Sequence, residues 1–97
     1  MTAPRRVVVT GVGVVSALGT GYRAHTEGLK AGRSGIGPIA GFDPERLMVK
    51  IGAEAGQFDG DAHFSRSEIA FLDRVSQMAL IAAREAVTQS GITFDEA

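Results

Sequence analysis

The chain opens on an unbroken apolar run. Val7-Val8-Val9-Thr10 is continuous and β-branched. Such a run predicts a strand buried on both faces, as in parallel or mixed sheets beneath helices. Gly11-Val12-Gly13-Val14-Val15-Ser16 prolongs the apolar character with glycines interposed. The strand is expected to continue through them, the glycines admitting neighbouring backbone. Leu18-Gly19-Thr20-Gly21 reads as a turn, and Thr20 is placed to cap a helix from about Gly21 to Ala31. Gly32 stops that helix, and Lys30 lies in its last turn, where the dipole favours a cation. Gly28 inside it costs up to about 1 kcal/mol relative to alanine.

Residues 32–44 have the composition of a long ordered loop, and Ile36, Ile39 and Phe42 in it call for packing. Leu47, Val49, Ile51, Ala53 and Ala55 then alternate with Met48, Lys50, Gly52, Glu54 and Gly56. Period two predicts a half-buried strand. Gln57 to Phe64 reads as a polar loop. Ser65-Arg66-Ser67-Glu68 has capping-box spacing, in which the two side chains satisfy each other's free amides. From Ser67 to Gln89 the pattern is helical, with Leu72, Val75, Ala79, Ala82, Ala83 and Ala86 on one stripe. The alanines predict close approach to a sheet or another helix, and Gly91 stops the run. Ile92 to Ala97 is a polar tail. The order strand, helix, strand, long helix makes this an α/β chain.

Composition narrows the function classes. The 97 residues carry 10 Lys+Arg against 11 Asp+Glu, a net charge of −1. A dedicated nucleic-acid binder needs a basic surplus to neutralise phosphates. Zero cysteine excludes disulfides, thiolate metal sites and thiol catalysis within this chain. Arg5-Arg6 ahead of an apolar stretch superficially copies a signal peptide. Thr10, Gly11, Gly13 and Ser16 weaken any signal helix, and no convincing cleavage site follows. Nothing approaches the roughly 18 apolar residues of a membrane span, so a cytoplasmic protein is expected. Glycine, at 13 residues, is the outlier, and predicts tight turns and close backbone approaches.

The candidate chemistry is sparse. Gly11-x-Gly13 after a strand invites a dinucleotide-binding reading, but position 16 is Ser and no acidic residue ends a second strand at the right distance. Structural strand packing is the expected role. His25 and His63 lack metal spacing and a nucleophile-elbow partner. Asp59, Asp61 and His63 alternate in a loop and have donors for a cation, but a solvated polar loop is the expected reading. Ser16 and Ser34 read as turn residues with no base in view. Asp73-Arg74 and Arg84-Glu85 read as helix-face charge, with one of them a candidate buried pair fixing the helix. No nucleophile, base and oxyanion site assemble. No catalytic, cofactor-binding or metal residue is therefore assigned.

Spaced motifs add a resemblance. Arg5-Arg6-Val7-Val8-Val9-Thr10-Gly11-Val12-Gly13-Val14-Val15-Ser16-Ala17-Leu18-Gly19 resembles the opening of an elongating β-ketoacyl-[acyl-carrier-protein] synthase, in the thiolase-like superfamily. Leu29-Lys30-Ala31-Gly32-Arg33-Ser34-Gly35-Ile36, Phe42-Asp43, Asp73-Arg74, Ala82-Ala83-Arg84-Glu85-Ala86 and Ser90-Gly91-Ile92 follow in the family's order. The family commonly has tryptophan where Thr26 stands and alanine at Gly28; both differences are expected to loosen the first helix.

The resemblance implies a partial thiolase-like fold: the β-α-β-α of a first half-sheet, a mixed sheet with covering helices. It implies a parent acyltransferase of fatty-acid or polyketide synthesis that works with acyl carrier protein, needs no cofactor and is usually a homodimer. Such enzymes load an acyl group on a cysteine at a helix N-terminus and condense it with decarboxylated malonyl, aided by two histidines and a lysine. Residues 1–97 correspond to an incomplete N-terminal part, with those catalytic groups expected downstream, and His25 and His63 do not match them. The chain alone is expected to be inactive and to expose an open sheet edge. Two alternatives stand beside this reading: a non-catalytic complementing segment of a split synthase, and a nucleotide-binding α/β module.

Overall fold

The computed structural model describes residues 3–94. Two short antiparallel hairpins and three helices follow one another. β1 (Val15–Ser16) turns into β2 (Gly19–Thr20), with Val15 opposite Thr20. α1 (Tyr22–Lys30) comes next. β3 (Ile36–Pro38) pairs with β4 (Ile51–Ala53), Ile36 opposite Ala53. A 3₁₀ turn at Gly60–Ala62 leads to α2 (Arg66–Ile69) and then α3 (Arg74–Ser90). The chain is α/β as expected. The sheets, however, are two separate two-stranded antiparallel ones, not one mixed sheet.

The local signals resolve unevenly. The capping box forms: Glu68 N–H donates to Ser65 Oγ and Ser65 N–H to Glu68 Oε1. Gly32 and Gly91 leave their helices at φ 69° and 73°, the left-handed conformation that glycine adopts freely. Thr20 does not cap α1. It lies in β2, and the N-cap is Gly21, which has no side chain to offer. The helix expected from Ser67 to Gln89 is broken, because Asp73 accepts from Ser76 N–H and starts α3 afresh. The break leaves Phe71 exposed between the two helices.

Three more expectations change. The strand foreseen over Val7–Thr10 has no pairing partner among the described residues, and Val7 and Val9 are 91% and 83% exposed. The strand foreseen over Leu47–Ala55 shrinks to Ile51–Ala53. Its alternation buries no face, and Met48, Val49 and Ile51 stay exposed. Its partner β3 lies inside the stretch read as loop, hidden by Gly35, Gly37 and Pro38. Finally, Gly28 does not loosen α1: it is buried, and a Cβ there would press at 3.2–3.3 Å on Arg33 and Leu18. Arg33 Nη2 donates to the Leu18 carbonyl at 2.7 Å across the same spot.

Compactness is correspondingly low. The surface is 8008 Å², where a compact monomer of this length exposes about 5,300 Å². The radius of gyration is 17.6 Å against about 12–13 Å for a compact chain. The buried side chains are Phe58, Phe64 and Gln77, all between Gln57 and α3. Arg74 lies over the Phe58 ring at 5.4 Å and Arg84 over Phe64 at 4.9 Å. This cluster is the core.

Candidate functional site

The most closely built long-range contact is a seam between the N-terminal segment and α3. A Cβ on Gly13 would fall on the Ala82 carbonyl, and one on Gly11 on the Ala86 carbonyl. Glycine on the strand side and alanine on the helix side let the two backbones touch. The spacing explains the match. Two strand residues advance about 6.6 Å and four helical residues about 6 Å. Gly11 and Gly13 therefore meet Ala86 and Ala82 in step, the segment before β1 running antiparallel to the helix. The same step recurs in hydrogen bonds: Val12 N–H donates to Gln89 Oε1 at 2.8 Å, and Val14 N–H to Glu85 Oε1 at 3.0 Å. The expected close packing by these glycines is what the structure contains, on a helix instead of a second strand. The space a pyrophosphate would need over Gly11 and Gly13 is filled by α3 backbone, which speaks against the dinucleotide reading.

The remaining candidates separate. Ser16 Oγ lies 2.8 Å from His25 Nδ1, so a base does stand beside this hydroxyl. No spacing along the chain signals it, because the pair closes only when the β1–β2 hairpin folds α1 back. Leu18 N–H also donates to Ser16 Oγ, and Gln57 Nε2 donates to the Ser16 carbonyl. These bonds hold Ser16 in the hairpin as a tie between β1, α1 and the loop at Gln57. Ser34 Oγ accepts from Ile36 N–H, as a turn residue does.

His63 stacks on Phe58 at 5.7 Å with an 11° tilt. It edges an open groove of about 450 Å³ with Ile81, Arg84, Glu85, Thr88 and Gln89. Asp59 Oδ1 is engaged by Asp61 N–H at the start of the 3₁₀ turn. Among the described residues no group of three or more His, Asp or Glu side chains is placed to hold a metal ion. Asp73 and Arg74 do not act as a pair. Asp73 caps α3, and the Ser76 amide and hydroxyl hold its carboxyl below the usual range. Arg74 Nη2 donates to the Ala55 and Phe58 carbonyls. Glu85 and Gln89 are the residues that the sequence reading missed as anchors. Their i, i+4 spacing opposite a glycine-alternating strand was the available signal.

α3 thus carries the Gly11–Val14 segment on its small-residue side, and much apolar surface stays open. The sequence pattern of the family described as beta-ketoacyl synthase, N-terminal domain, matches residues 4–97. The chain belongs to this thiolase-like family. It is 48% identical over 91 residues to a putative polyketide beta-ketoacyl synthase 1 of Streptomyces cyaneus, covering 93% of this chain and 21% of that protein. It is 34% identical over 92 residues to 3-oxoacyl-[acyl-carrier-protein] synthase 2 of Synechocystis sp., covering 95% and 22%. Among solved structures, the ishigamide ketosynthase/chain length factor superposes with a TM-score of 0.79 at 42% identity, over 94% of this chain and 23% of that one. The chain thus spans about a fifth of the length of the curated relatives it matches. Among the described residues, no helix is long and apolar enough to cross a membrane.

Proposed function

We propose that the chain is the N-terminal part of a condensing enzyme of polyketide synthesis. The parent transfers an acyl group from acyl carrier protein to a cysteine thiolate. It then decarboxylates malonyl-carrier protein, losing CO₂, and the resulting enolate attacks the acyl thioester. A carbon–carbon bond forms and the cysteine is released as the β-ketoacyl product leaves on its carrier. This chain contributes none of the nucleophilic chemistry, since it contains no cysteine. Its part is structural: the seam of Gly11 and Gly13 on α3, with the hairpins that this seam carries. The reading rests on the match of residues 4–97 to the synthase N-terminal domain. The polyketide branch is preferred because identity is 48% to the polyketide relative and 34% to the 3-oxoacyl-carrier-protein synthase. Acyl carrier protein and a second synthase subunit, in a homodimer, are the partners that this reading implies.

A second reading is favoured by the uncovered Val7–Thr10 run and the surface of 8008 Å². On it, the chain docks in trans on a separate polypeptide carrying the rest of a synthase. The test is an exchange experiment. The isolated chain, given acyl- and malonyl-carrier protein, is expected to release no CO₂ and form no β-ketoacyl product. Residues 4–97 placed into the Streptomyces cyaneus relative, in the matching stretch, are expected to retain condensation. Turnover by the isolated chain overturns the proposal. A soluble but inactive hybrid there, beside an active one in the Synechocystis relative, overturns the polyketide assignment. Restoration of activity by adding the chain to a relative lacking that stretch favours the second reading.

A further inference from the structure

We infer that Glu85 is the anchor that couples the folding of α1 and the Val12–Val14 segment to α3. α1 is poorly equipped to form alone. It has nine residues, Gly28 within them, an N-cap glycine with no side chain and no acidic residue in its first turn. Isolated helices of that length are marginal in water, and the first-turn N–H groups of any helix need outside partners. Here the first of them, Tyr22 N–H, donates to both oxygens of Glu85, at 3.1 and 2.9 Å. The same Oε1 receives Val14 N–H. One carboxylate on α3 therefore supplies the missing cap of α1, 63 residues away in sequence, and fixes Val14, 71 residues away.

Its negative charge also stands at the positive end of the α1 dipole. Its position is not free. Ala82 and Ala86 flank it on α3, and both are fixed against Gly13 and Gly11. Gln89, one turn further on, repeats the arrangement with Val12 N–H but, among the described residues, has no hydrogen bond to α1. α1 is thus a helix whose start signal lies on another helix. It forms where α3 has already docked on the strand.

The test is residue-resolved amide hydrogen exchange on the 97-residue chain and three variants. Glu85→Ala is expected to speed exchange at Val14 and Tyr22 by roughly tenfold to a hundredfold, the scale of a lost hydrogen bond to a charged group. The amides of α1 should follow, while Ile39 N–H, which donates to the Lys50 carbonyl in the other hairpin, is unchanged. Glu85→Gln keeps one acceptor oxygen and should lie between. Gln89→Ala should release Val12 alone. Three results overturn the inference: no change at Tyr22 in Glu85→Ala, equal acceleration at Ile39, or no protection of Val14 and Tyr22 in the parent chain.

Discussion

Two apolar stretches of this chain have opposite fates. Between Gln57 and Gln77 the chain closes on itself. Phe58 and Phe64 are 3% and 6% exposed, each with an arginine over its ring. Gln77 Nε2 donates to the Leu72 carbonyl, and Ser65 and Glu68 cap α2 reciprocally. Every partner lies within about one helix length in sequence, apart from Arg84. Between Val7 and Thr10 a denser apolar run gains no cover within the described residues. Among the described residues this segment meets α3, and does so from Gly11 onward. The contrast separates two kinds of hydrophobic pattern. One is completed by what lies near it in sequence. The other finds no cover among the described residues, and the curated relatives that the chain matches are several times longer.

The sharpest way to break this comparison is to remove an aromatic from the closed stretch. Phe64→Ala takes out a nearly buried side chain and the surface on which Arg84 lies. Large-to-small substitutions of buried phenylalanine cost about 3–5 kcal/mol. Urea unfolding followed by helix circular dichroism is expected to show the α3 transition shifted to lower denaturant by that order, or lost. Val8→Ala, at a position 70% exposed, is expected to move the same transition by less than about 0.5 kcal/mol. Equal effects from the two substitutions would erase the distinction between the regions.

The next effect in size lies at the seam. Gly13→Ala puts a methyl group onto the Ala82 backbone, which cannot turn aside as a flexible side chain would. Overpacking of this kind costs roughly 1–3 kcal/mol. Exchange at Val12 and Val14 is expected to rise as the strand lifts from α3. Gly37→Ala, in β3, meets nothing within 4 Å and is expected to be neutral or slightly stabilising, because alanine restricts the unfolded chain. A strand that stays protected in Gly13→Ala would show that the seam is looser than its geometry.

How much was legible beforehand follows the same division. Caps and stops are local chemistry, and Ser65 with Glu68, Gly32 and Gly91 all act where the sequence places them. The α1 span was legible to within a residue, but its cap was not. A search confined to neighbours finds Thr20, whereas the acceptor is Glu85 on another helix. The long helix was over-extended because apolar spacing runs on through Phe71 and Leu72. The signal for the break, Asp73 three residues before Ser76, has the N-cap spacing that served at Ser65. The β3–β4 hairpin was half legible: period two marked Ile51–Ala53, but glycine and proline disguised its partner. The Ser16–His25 contact depends on a hairpin fold that no spacing rule encodes. Of the candidate site, the glycine pair was readable as a close-packing device, while the helix face that receives it was readable only as a stripe of alanines.

The smallest effect distinguishes the regions by pH. Three carboxylates, Glu68 and Asp73 exposed and Glu54 half-buried, sit below their ordinary range, each held down first by backbone amides: Glu54 by Ala40 and Gly41, Glu68 by Ser65, Asp73 by Ser76. A carboxylate whose folded pKa is lowered binds fewer protons folded than unfolded. Stability therefore rises with pH through that window. The contribution is fully present above the ordinary values, near 4.5 for glutamate and 3.8 for aspartate, and is lost as pH falls through the lowered folded values. Two of these groups, Glu68 and Asp73, start helices in the closed stretch. Glu54 ties the Ala40–Gly41 turn to β4 in the open hairpin. Because none of the three is buried, solvent screening keeps each contribution small. Amide exchange compared at pH 7 and in mild acid, corrected for the intrinsic rate, is expected to show loss of protection at Gly41, Ser65 and Ser76. Glu54→Gln is expected to remove the acid-dependent part at Gly41 alone. An unchanged profile at Gly41 in that variant would detach the hairpin turn from Glu54, and leave its order to backbone pairing between β3 and β4.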